Sequence, residues 1–113
     1  MRKKLLILAA LGEGGFGVLL LALPAFVAHL LFAIEISGTA VTIGRVAGVC
    51  LIVFGFVCWP RGESRRALYW MLSYSGLAMA LLVVIGLRGV AGVLLWPAVV
   101  VHAAMVVLLW MSR

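Results

Sequence analysis

Residues 39–59, TAVTIGRVAGVCLIVFGFVCW, decide the fold. Only Arg45 interrupts an apolar run about as long as the ~20 residues that carry a helix through a hydrocarbon core of about 30 Å. The glycines keep helical spacing: Gly44 and Gly48 form a GxxxG, and Gly55 continues the same face one heptad on. Small residues at such positions let helix backbones approach in lipid, where no hydrophobic force drives association. The Gly44/Gly48/Gly55 face is therefore expected to pack a helix, within the chain or in a second copy.

Three comparable runs flank it, at residues 5–23, 65–87 and 93–111. The first ends at Pro24. Residues 24–38 stay apolar but carry His29 and Glu35, and one helix from 5 to 36 would be far longer than a bilayer. Proline lacks the N–H that continues a helix and its ring clashes with the preceding turn. A break at Pro24 is expected, with residues 25–36 as a short helix in the interface or capping the bundle. Ser37-Gly38-Thr39 reads as a turn and possible N-cap, and residues 59–64, WPRGES, as a tight polar turn. Arg88-Gly89 and Gly92 form the last turn. Trp59, Trp96 and Trp110 fall near span ends, where amphipathic rings meet headgroups. The expected fold is all-α: an integral membrane four-helix bundle in one transmembrane domain, residues 1–113, with a short interfacial helix between the first and second spans.

Composition agrees. Of 113 residues, 67% are hydrophobic and 11% charged, whereas soluble domains carry roughly 25% charged residues. A net charge of +6 raises the question of nucleic acid, but the placement of the cations argues against it. Arg2, Lys3, Lys4, Arg61, Arg65, Arg66 and Arg113 all sit at the ends of apolar runs. That is how a membrane protein anchors its cytoplasmic side, and anionic headgroups attract such groups by about 1 kcal/mol each. Membrane lipids are thus expected partners and nucleic acid is not. The 24–38 connection has no Lys or Arg and the last turn only Arg88, so both termini are expected in the cytoplasm. The N-terminal MRKKLLILAALG opens like a secretory signal, but its apolar stretch runs well past a signal's length; it is expected to remain as a helix.

Cys50 and Cys58 share one helix about 12 Å apart, too far for an intrachain disulfide. With no CxxC and no Cys/His cluster, neither a redox motif nor a metal site is indicated, and the two cysteines read as small buried apolar residues. No cofactor is implied.

Four polar residues fall inside the spans: Glu13, Arg45, Tyr74 and His102. An ionisable group at a helix centre costs about 2.5–3.5 kcal/mol on insertion scales, so each needs a partner. One reading is a structural polar layer in which Glu13 and Arg45 neutralise each other. The other is a ligand site in which His102 carries or donates a proton and Arg45 orients an anionic or carbonyl group. Catalysis has little support: Glu13, Glu35 and Glu63 are the only carboxylates, and they lie at three different depths, where they cannot pair as general acid and base. There is neither a row of polar residues along one helix nor an inverted repeat, as a channel or transporter would need.

Leu23-Pro24, then GRVAGVCLIVFGFVCW with Arg45, Gly48, Gly55 and Trp59, then an Arg-rich turn, Tyr74, and finally LLWPAVVVH with Trp96 and His102, form a pattern over residues 23–110. It resembles a set of small four-span bacterial inner-membrane proteins. The resemblance implies the fold, that location, and that Arg45 and His102 belong to one pattern; it implies no activity. The expected function is a non-enzymatic accessory or scaffold subunit packed against other membrane protein subunits. The alternative is a lipid- or quinone-binding membrane protein with its polar site around Glu13, Arg45, Tyr74 and His102.

Overall fold

Each apolar run becomes a helix, and each helix ends where the chain can no longer continue one. The computed structural model describes residues 2–61, 65–90 and 92–113. It contains α1 (Arg2–Ala22), α2 (Pro24–Phe32), α3 (Thr39–Val57), α4 (Arg65–Leu87) and α5 (Leu95–Met111). The centre of the polar turn, including Glu63, lies outside the described residues.

α1 stops at a bend in Leu23 (φ −133°, ψ 60°), and Pro24 opens α2, where a missing N–H costs nothing. α2 is closed by Ala33 in the left-handed conformation (φ 55°, ψ 33°), whose N–H donates to the His29 carbonyl. The N-cap expected within Ser37-Gly38-Thr39 falls on Gly38. α3 starts from Gly38 (φ 58°, ψ −126°) with no side-chain cap, and Val41 N–H donates to the Gly38 carbonyl at 3.1 Å. Glycine adopts that backbone readily because it lacks a Cβ.

α1 and α3 pack antiparallel through glycines. A Cβ added at Gly17 would lie 2.7 Å from the Gly48 carbonyl, and one at Gly48 would lie 2.6 Å from the Gly17 carbonyl. Further along, a Cβ at Gly55 would come within 3.0 Å of the Ala10 carbonyl, while Gly44 faces Pro24. The Gly44/Gly48/Gly55 face is therefore spent inside the chain. α4 and α5 form the second antiparallel pair, where Gly86 leaves room for Leu95 and Trp96.

The pairs meet along α1. Leu6, Ala9, Cys58, Ala67, Leu68, Met71 and Leu109 make one dry cluster from all four long helices. Cys58 is buried there, whereas Cys50 is exposed, because it points away from α1 on a helix whose buried residues are only Gly48 and Gly55. α3 thus sits at one edge, and the bundle is wider than it is thick, with extents of 42 × 26 × 16 Å.

α2 closes one end. Gly92 N–H donates to the Leu31 carbonyl and Leu94 N–H to the Leu30 carbonyl, both at 2.8 Å. These bonds tie the last turn of α2 to the segment entering α5, and a Cβ at Gly92 would collide with the Leu30 carbonyl. The opposite end gathers the start of α1, the end of α3, the start of α4 and the end of α5. α1, α3 and α4 are long and apolar enough to cross a membrane; α5 is apolar but shorter, at 17 residues.

Candidate functional site

Beyond the core cluster, toward the α2 end, three of the four polar candidates within the apolar helices come together. Tyr74 on α4 donates its hydroxyl to Glu13 Oε2 on α1 at 2.9 Å. His102 on α5 places Nε2 3.6 Å from Glu13 Oε1. Phe54 on α3 packs against the Tyr74 ring with centroids 4.9 Å apart, and the His102 ring lies 6.0 Å away on another side. Tyr74 therefore touches all three other long helices.

The hydrogen bonds settle the chemistry. His102 Nδ1 lies 2.7 Å from the Ala98 carbonyl one turn back. A carbonyl oxygen only accepts, so Nδ1 carries a hydrogen. In the neutral ring Nε2 is then a bare lone pair facing a carboxylate oxygen, and two acceptors repel. One proton between them removes the conflict, held either as imidazolium facing carboxylate or as imidazole facing carboxylic acid. Both arrangements leave the pair neutral, which is what a low-dielectric interior requires. At 3.6 Å the contact is longer than a hydrogen bond, and His102 Nε2 is a buried atom without a hydrogen-bond partner. The cluster has no nucleophile aligned to a base. Among the described residues, no three His, Cys, Asp or Glu side chains gather as a metal ion would need.

Arg45 is not part of this layer, and the expected Glu13–Arg45 pair does not form. The reason is register. With Gly17 against Gly48 and Ala10 against Gly55, Glu13 lies level with the region of Ile52, about 10 Å along α3 from Arg45. Arg45 is exposed on the edge helix. Glu13 finds its donors on α4 and α5 instead.

Phe54 and the Ala98 carbonyl are the contributors that sequence reasoning passed over. An aromatic in an apolar run carries no signal of its own. The i−4 carbonyl partner of a helical histidine, by contrast, is implied by helix geometry. Gly12, Gly14 and Gly15 flank Glu13, yet a Cβ at any of them would meet nothing within 4 Å. No family model matches the chain, and neither a curated protein nor a solved structure is detectably similar to it.

Proposed function

We propose that this chain spans a bacterial inner membrane four times, with both termini cytoplasmic, and serves there as a non-enzymatic accessory or scaffold subunit that packs against another membrane protein. Three long apolar helices support the membrane reading. α5 covers about 25 Å, a few ångströms short of a ~30 Å core, and such a deficit is absorbed by local thinning at modest cost. The cations at the start of α1, before and at the start of α4, and after α5 share one end of the bundle, which supports that end as the cytoplasmic one.

Arg45 carries the proposal of a partner. It lies about 9 Å inside the start of α3, exposed, on an edge helix whose neighbours on the same outer surface are Val46 (57% exposed), Val53 (54%) and Phe56 (67%). Glu13 is occupied elsewhere. A cation on a lipid-facing surface calls for an anion at the same depth, and the occupant that fits is a transmembrane helix bearing a carboxylate. Native gel electrophoresis of gently extracted, tagged chain tests this. Arg45→Leu should release the chain from a larger assembly, Arg45→Lys should largely retain it, and His102→Phe should leave it assembled. An Arg45→Leu variant that migrates with the wild type would sink the proposal.

One observation favours the second reading. His102 Nε2 is a buried atom without a hydrogen-bond partner, beside Glu13 and away from Arg45, and only its protonated form would donate to a quinone or lipid carbonyl that reached it. In that case His102→Phe removes a co-extracted small molecule while the chain runs alone.

A further inference from the structure

α3 packs on α1 along one side and buries only Gly48 and Gly55. Its other side carries Thr42, Val46, Val49, Val53 and Phe56, all exposed. Their spacing alternates four and three residues, so they form one seam of the heptad kind, with Arg45 on its flank. In a helix a valine side chain is held to essentially one rotamer, so packing this seam against a second helix costs little side-chain freedom. The outward face of α1 differs in kind: Leu8, Leu11 and Leu19 are exposed there and keep rotamer freedom that close packing would remove.

The charges at the start of α3 are matched but apart. Glu35 is exposed in the link that leads from α2 into α3, and Arg45 is exposed about 9 Å inside α3. Among the described residues neither has an ion-pair partner, because the acid that does find donors, Glu13, is met by Tyr74 and His102. One chain thus carries an acid and a base near the same end of the same helix, and they do not meet within it.

We propose that the partner of Arg45 is a second copy of this chain, with α3 packed parallel to α3 of the copy along the valine seam and each Arg45 paired with Glu35 of the other copy. The inference deepens the reading of Arg45 as a partner contact and rests on it. A two-fold axis along the membrane normal makes the interface isologous, so one contact between residues 35 and 45 occurs twice. It also sets identical residues at equal depth, Val49 beside Val49. Each arginine then extends along its helix toward the surface where Glu35 of the other copy lies.

Two copies with different tags, co-expressed and gently extracted, test it. Pulling down one tag should bring the other with it. Arg45→Glu or Glu35→Arg in both copies sets like charges at both contacts and should cut that recovery by about tenfold. One copy with Arg45→Glu and the other with Glu35→Arg has opposite charges at both contacts again, and should return to the wild-type level. Independently, Val49→Cys in a Cys50→Ser chain should form a disulfide-linked dimer when membranes are oxidised with copper phenanthroline. Leu77→Cys in the same background, at an exposed position of α4, should not; Cys58 is buried and stays reduced. Separate isolation of the wild-type copies, a mixed pair no better than the single variants, or equal cross-linking of the Val49→Cys and Leu77→Cys chains would each overturn the second copy as partner. If Arg45→Leu releases the chain from a larger assembly while the tagged copies isolate separately, the partner is another protein. That result overturns this inference and leaves the reading of Arg45 standing.

Discussion

Gly48→Ala tests the close approach of α1 and α3. The added methyl would lie 2.6 Å from the Gly17 carbonyl oxygen, 2.7 Å from Leu21 N and 3.1 Å from Leu21 Cα, against an ordinary lower limit of 3.4 Å. All three are backbone atoms, so no rotamer change relieves the clash. α1 and α3 must part by about 0.8 Å at this point, and because helices are stiff, packing is lost along much of the interface. Overpacking costs about 1–3 kcal/mol, while replacing a helical glycine by alanine returns up to about 1 kcal/mol of propensity. The expected net loss is about 1–2 kcal/mol. Gly15→Ala is the control: its methyl meets nothing within 4 Å, so the propensity gain of up to about 1 kcal/mol stands alone. Thermal midpoints of wild type and both variants in one detergent should therefore bracket the wild type, with Gly15→Ala above and Gly48→Ala below. Equal midpoints for the two variants would refute the glycine-mediated register and, with it, the separation of Arg45 from Glu13.

Three further outcomes are expected. Tyr74→Phe removes the donor to Glu13 and should lower stability by about 1.5–3 kcal/mol, the range for a hydrogen bond to a charged group; in a Glu13→Gln background the loss should be smaller, and equal losses would show that Glu13 is not ionised there. Glu13→Gln and Arg45→Met should add within about 0.5 kcal/mol in the double variant, since the two side chains do not meet, and strong coupling would restore their pairing. In a chain lacking Cys50 and Cys58, Ser37→Cys should react with an impermeant thiol reagent on intact cells and Ser112→Cys should not; labelling of both would reverse the proposed orientation.

The helices were legible because the sequence alternates long apolar runs with stops: Pro24, the turn at Gly38 and the charged residues near 61–66 and 88. Gly48 and Gly55 were legible as packing residues, since only small side chains let backbones meet. The polar layer was legible as a list of depths, and depth correctly associated Glu13, Tyr74 and His102. It misassigned Arg45, because pairing depends on the rotation and offset of one helix against another. That offset is set by Gly17 meeting Gly48, a contact between two residues in different spans that neither span declares alone. Charge complementarity made Glu13–Arg45 the natural guess, yet a hydroxyl and an imidazole in the right register outcompete a guanidinium about 10 Å away. The start of α3 was legible as the Ser37-Gly38-Thr39 turn, where Gly38 takes a backbone conformation that caps the helix without a side-chain bond.

The two bonds that hold α2 have a consequence in time. α2 is made early in synthesis, but the N–H groups that satisfy its Leu30 and Leu31 carbonyls belong to residues 92 and 94, which leave the ribosome only after three of the four long helices. Until then those carbonyls must find their hydrogen bonds elsewhere. The arrival of α5 supplies the peptide bonds and closes the bundle at both ends at once, because the same helix brings Leu109 to the core and His102 to Glu13. A chain arrested before residue 92 therefore lacks both the bonds that hold α2 and the His102 contact to Glu13.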